Sequence, residues 1–134
     1  MGVFLKKLRY RVIAAGMAAF FSVSFVSLLG SSVSAASGTI TGNIQCFYGN
    51  NQVVGVWVDA ASGADGFASL TNDGMGGKNY SYTLSTPSNY KLYVGCSGTP
   101  SSWGSSMQSP WVSGNSYNWV CSYSSSYGFF CAMS

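Results

Sequence analysis

Histidine and glutamate are missing from this chain, and arginine occurs only at positions 9 and 11. Without histidine, Ser-His-Asp and Cys-His nucleophilic arrangements have no base. Charge is scarce as well. Beyond residue 11 the cations are Lys78 and Lys91, set against Asp59, Asp65 and Asp73, so the chain's +3 belongs to its first residues and the body is close to −1. A nearly neutral body offers no electrostatic handle for nucleic acid or an anionic membrane, and neither is expected as a partner.

The three aspartates give little more. A glycosidase needs two carboxylates held opposite each other. Asp59 and Asp65 are the only pair close in sequence, flanking a small-residue loop; Asp65 and Asp73 open Asp-Gly turns and Asp59 ends an alternating run. The stretch "DAASGADG" is too poor in carboxylates for a calcium loop. The four cysteines, with 49, 24 and 9 residues between successive ones, form no CxxC pair and have no histidine to join them, which argues against zinc. The expectation is a protein that is not an enzyme, with no metal and no cofactor. "NYS" at 79–81 spells a glycosylation sequon by chance, since Tyr80 reads as a strand start and the leader looks bacterial.

That leader has three parts: "MGVFLKKLRYR" is positive, "VIAAGMAAFFSVSFVSLL" from Val12 to Leu29 is apolar, and "GSSVSAAS" supplies small residues at cleavage spacing. Eighteen apolar-leaning residues could just span a bilayer as a retained anchor. Three serines within the stretch and the small-residue exit favour cleavage, with the mature chain starting at Ala36 or Ser37. Residues 1–36 are therefore read as a secretory signal peptide and 37–134 as one domain, secreted, extracellular and without a membrane partner once cleaved. All four cysteines, Cys46, Cys96, Cys121 and Cys131, fall in that domain, and an even count in an exported chain reads as two disulfides.

After the leader no helical period is found. Alternating runs recur instead: Ile40, Gly42, Ile44, Cys46, Tyr48; Val54, Val56, Val58, Ala60; Tyr80, Tyr82, Leu84; Tyr90, Leu92, Val94, Cys96; Tyr117, Trp119, Cys121, Tyr123. Period-two runs rich in valine and aromatics are strand signals. Between them "YGNNQ", "SGADG", "TNDGMGGKN", "STPSN" and "SGTPSSWGSSMQSP" are dense in turn residues. The fold expected is all-β, a small antiparallel β-sandwich of about seven strands with two disulfides. Spacing allows three connectivities. Cys46 and Cys96 each close the apolar phase of a strand, and Cys121 and Cys131 enclose a span able to fold back as a hairpin, so Cys46–Cys96 and Cys121–Cys131 are the expected pairs.

Residues 38–96 go further: "GTITGNI", "QVVGVWVDA", "FASLTNDG" and "YSYTLSTPSNYKLYV" resemble the carboxypeptidase-regulatory or prealbumin-like sandwich. The resemblance implies an accessory, adhesion or binding module without catalytic residues. The cysteines and the final 38 residues depart from that pattern.

Aromatics are the strongest positive feature, since all four tryptophans and eight of the nine tyrosines follow the leader. Trp119 shares phase with Cys121 and is assigned to the core. Trp57 and Asp59 lie opposite the valine row, and a buried unpaired carboxylate is costly, so this pair is expected at the surface. Trp103 and Trp111 sit in the polar segment "SSWGSSMQSPW", either plugging a small core or contacting a partner. The candidate ligand-binding residues are Trp57, Asp59, Trp103 and Trp111. An indole stacks on the C–H face of a sugar ring while Asn, Gln, Ser and Tyr bond its rim, so a polysaccharide or cell-surface component is the expected partner. A protein partner suits the same anchors. The alternatives are a small secreted effector, either a bacteriocin or an enzyme inhibitor, and a structural matrix protein, the latter suggested by the tail "CSYSSSYGFFCAMS".

Overall fold

The computed structural model describes residues 34–134, and the leader expected over residues 1–36 lies almost wholly outside them. Nine strands follow one another: β1 (Ala36–Cys46), β2 (Val53–Ala60), β3 (Gly66–Phe67), β4 (Ser69–Asn72), β5 (Lys78–Ser88), β6 (Tyr90–Thr99), β7 (Ser102–Gln108), β8 (Trp119–Ser124) and β9 (Gly128–Met133). They form one sheet in the order β3-β2-β6-β7-β9-β8-β1-β5-β4. Its two edge strands, β3 and β4, are separated in sequence by Ala68 alone. The sheet therefore curls back on itself into a nearly closed barrel.

The fold is all-β with two disulfides, as expected, but it is a nine-stranded barrel-like sheet and not a seven-stranded sandwich. Nor is it wholly antiparallel. β1 pairs with β8 in parallel through Ile44–Trp119, Gln45–Val120 and Cys46–Cys121, and β7 meets β9 in parallel at Gln108–Phe130. These joins weld what would be two sandwich layers into one wall.

The alternating runs explain the interior. Ile40, Ile44, Val56, Val58, Tyr80, Leu84, Tyr90, Leu92, Val94, Met107, Trp119 and all four cysteines are buried and form one cluster. At about 25 cal/mol per Å² of apolar surface removed from water, such side chains supply most of the drive to fold. Two registers differ from the simple alternation. In β2 the pairing with β6 shifts between Val53 and Gly55, a bulge that places Val53 inside and leaves Val54 half-buried. Tyr48 and Tyr123, expected inward, are instead 42% and 52% exposed, because each lies at or beyond the end of its parallel pairing, which stops at Cys46 and Cys121.

The disulfides tie different things. Cys46–Cys96 joins β1 to β6, which lie four places apart in the sheet order, with a Cα separation of 5.9 Å. It is a strap across the interior. Cys121–Cys131 joins directly opposed residues of the β8–β9 hairpin at a Cα separation of 4.0 Å.

The connection from β7 to β8 crosses one end of the barrel. It is pinned by backbone bonds between Tyr90 and Val112 in both directions, by Thr41 N–H to the Asn115 carbonyl, and by Tyr117 N–H to the Thr41 carbonyl. Gly42 makes this possible: a Cβ there would stand 1.8 Å from the Tyr117 carbonyl oxygen. Buried polar tips are satisfied nearby. Trp119 Nε1 donates to the Tyr80 hydroxyl (3.3 Å), which donates to the Tyr117 carbonyl (3.0 Å), and the Tyr90 hydroxyl donates to the Gly114 carbonyl (2.8 Å).

Candidate ligand-binding face

Outward residues of β3, β2, β6 and β7 fall into register across the sheet: Phe67 opposes Trp57, Trp57 opposes Tyr93, and Tyr93 opposes Gln108. The row is aromatic for three positions and ends on a primary amide. Phe67 meets Trp57 edge to face, with ring centroids 4.8 Å apart and planes at 79°. Cross-strand pairs of this kind hold rings in place without covering them.

Trp103 joins the row from an unexpected direction. It shares strand parity with the buried Ser105 and Met107. However, Ser97 and Gly98 both take left-handed conformations, at φ of 64° and 85°, which turns the end of the β6–β7 hairpin outward. The indole then lies over Gly55 and Gly95, two glycines that β2 and β6 present side by side. A Cβ on Gly95 would stand 2.3 Å from Trp103 Cδ2, and one on Gly55 2.6 Å from its Cζ2. The indole N–H donates to the Pro100 carbonyl (3.2 Å), and Phe67 packs edge-on at 6.4 Å between centroids. Trp57, Phe67, Tyr93 and Trp103, with Pro100, Ser101 and Ser106, bound an open cleft of about 400 Å³.

The next row along the strands is charged. Asp59 opposes Lys91, and their side chains approach to 3.8 Å as a half-buried ion pair. Lys91 Nζ also lies 4.9 Å from the Tyr93 ring centre and 5.3 Å from that of Trp111, so one cation bridges two rings. The Tyr93 side chain, and after it the Asp59 carboxylate, raises the Lys91 pKa and keeps it charged. Trp111, on the end-crossing connection, is 50% exposed.

Trp57, Asp59, Trp103 and Trp111 thus share one outer face. Trp57 is half-buried rather than fully exposed, Trp103 lies in a strand and not a flexible loop, and Trp119 is fully buried in the core. Three residues of this face were missed in the sequence: Phe67, Tyr93 and Lys91. Tyr93 could have been found, because it stands opposite in phase to Leu92 and Val94. Phe67 follows an Asp-Gly turn and gives no periodic signal.

The remaining carboxylates have structural duties. Asp65 Oδ1 accepts the Ala60 N–H (2.7 Å). Asp73 Oδ1 accepts the Met75 and Gly77 N–H groups, and Oδ2 accepts the Asn43 and Gln45 amides. The Asn43 bond, followed by those from the turn, holds the Asp73 carboxyl below its ordinary pKa. Among the described residues no group of three or more His, Cys, Asp or Glu side chains comes together. No protein family, curated protein or solved structure significantly matches this chain.

Proposed function

We propose that this protein is an exported, non-enzymatic module that binds a polysaccharide or other glycan-bearing cell-surface component through the Trp57–Phe67–Tyr93–Trp103 face. The observation that carries the reading is the seating of Trp103 on paired glycines beside the Phe67–Trp57–Tyr93 row. Two indoles and a phenol flank an open cleft, Ser101 and Ser106 put hydroxyls on its rim, and the Gln108 amide stands beside Tyr93 in the next strand. Apolar rings with uncharged hydrogen-bonding groups suit a neutral sugar. The charges of the adjoining row, Lys91 and Asp59, pair with each other.

Two disulfides suit an oxidising compartment, in keeping with the secretory leader read in the sequence. Ala36 is buried and opens β1 opposite Ser88, so cleavage after Ala35 would retain every residue of that strand.

The test is retention of purified 36–134 protein on a panel of insoluble polysaccharides and cell-wall fractions. The parent is expected to bind at least one, and Trp57→Ala or Trp103→Ala to weaken that binding about thirtyfold or more, as loss of an anchoring aromatic does. If the parent binds none of them the glycan reading is wrong, and the same face is then to be tested against proteins.

A further inference from the structure

The barrel does not close along its whole length. β3 holds β2 through Trp57–Phe67 and Val58–Gly66, and the ladder ends where the Ala68 N–H bonds the Val56 carbonyl at 2.9 Å. Beyond that point β4 pairs with β5 alone, and Val53–Gly55 of β2 have no strand beside them on this side. The two edges diverge from Ala68 and leave a wedge-shaped cavity of about 610 Å³. Gln52, Val53 and Val54 line one side, Leu70 and Asn72 the other, with Lys78 and the Gly74–Gly77 turn at its end. The closed end is fastened by Tyr82, whose hydroxyl donates to the Ala64 carbonyl at 2.7 Å.

The parity of β4 decides what the wedge presents. Ala68 directs its N–H toward β2, and at the other end Asp73 directs its N–H toward the Gly77 carbonyl, on the β5 side. Backbone groups of successive strand residues alternate in direction. Both ends therefore require Ser69 and Thr71 to bond β5 while Leu70 and Asn72 turn their N–H and C=O groups into the wedge. Leu70 is half-buried and packs on the core, which gives the wedge an apolar floor beneath two pairs of unused donors and acceptors.

We propose that this seam accepts an extended segment of another polypeptide, which adds to β4 as a strand and carries an acidic group toward Lys78. Main-chain bonds to Leu70 and Asn72 would supply affinity, and the Val54–Leu70 floor would select small or β-branched side chains. The acidic preference follows from local charge. Lys78 is the cation lining the wedge, where its ammonium donates to Asn72 Oδ1, while the neighbouring Asp73 carboxylate keeps its charge but is turned to the Asn43, Gln45, Met75 and Gly77 N–H groups and is not among the lining residues. A second copy of this chain is a poor occupant. Among the described residues the sheet has two edge strands, β3 and β4, and both already form the seam.

The experiment selects binders to the 36–134 protein from a displayed library of random eight-residue peptides and remakes the winning sequence synthetically. Isotope-labelled protein should show the largest amide shifts, and new protection from hydrogen exchange, at Leu70 and Asn72. N-methylating the peptide amides on one edge should weaken binding tenfold or more without altering the protein. Removing the peptide's acidic group, or making Lys78→Gln, should each cost about threefold to tenfold, with no further loss when combined. Failure to enrich any peptide, or enrichment of peptides that shift Trp57 and Trp103 instead of Leu70 and Asn72, overturns the proposal. Failure to enrich any peptide leaves the glycan reading untouched, whereas peptides seated on Trp57 and Trp103 would mark that face as one that binds protein.

Discussion

Two missing methyl groups govern the aromatic face. Gly55 and Gly95 leave a flat patch of backbone, and Trp103 fills the space their side chains would occupy. Neither glycine has a left-handed φ, so alanine is conformationally acceptable at both and the only conflict is with the indole. Gly95→Ala is therefore expected to lift Trp103 from its seat. Binding to whichever polysaccharide retains the parent should fall at least tenfold, and stability by about 1 kcal/mol, the scale of a locally overpacked contact. Near-ultraviolet circular dichroism would report the moved indole. Unchanged glycan binding with a moved indole would remove Trp103 from the site. Trp119→Ala provides the contrast. That ring is fully buried and donates to Tyr80, so its loss should cost about 3 to 5 kcal/mol of stability.

Among the elements, strands whose inward positions are apolar were legible, and those with polar inward positions were not. β6 reads clearly because Tyr90, Leu92, Val94 and Cys96 are all inside. β7 reads as loop in the sequence: its inward positions include Ser105, buried with its hydroxyl donating to the Cys96 carbonyl at 3.1 Å, and its remaining serines and glycine spell a turn. The β2 bulge was equally invisible, since Val53 and Val54 are chemically alike and only the pairing with β6 decides which goes inside. Cysteine phase was more informative, and the expected pairs Cys46–Cys96 and Cys121–Cys131 are those formed. Their separations of 50 and 10 residues predict unequal stabilisation, about 4 kcal/mol for the first and about 3 for the second by chain entropy. Denaturant unfolding of Cys46→Ala/Cys96→Ala and of Cys121→Ala/Cys131→Ala measures this. A larger loss from the hairpin pair would mean that the β8–β9 ribbon, not the interior strap, limits the barrel.

At the scale of the whole molecule, barrel and sandwich differ in pairings that no local pattern encodes. β1 with β8 and β7 with β9 join segments distant in sequence, and closure depends on a one-residue link at Ala68 between the two edges. What the closed wall does impose is a dry interior containing phenols. Burial raises the pKa of both Tyr80 and Tyr90, because an ionised phenolate would lose its water. A group whose pKa is raised by folding leaves stability untouched below the unfolded value. Stability then falls as pH climbs from that value, about 10 for tyrosine, toward the folded one. Each such phenol contributes a slope of about 1.4 kcal/mol per pH unit within that window. The protein should accordingly hold constant stability toward neutral pH on the alkaline side and lose it steeply above about pH 10. Tyr90→Phe lowers stability at neutral pH by about 1 kcal/mol, through loss of the bond to the Gly114 carbonyl, yet should remove one phenol's share of the alkaline slope. Urea unfolding of parent and variant at several values from pH 8 to pH 11.5 separates the two effects, one an offset and the other a gradient. An unchanged gradient in Tyr90→Phe would show that this phenol is hydrated in the folded state, and that the barrel is open to water at the end crossed by residues 109–118.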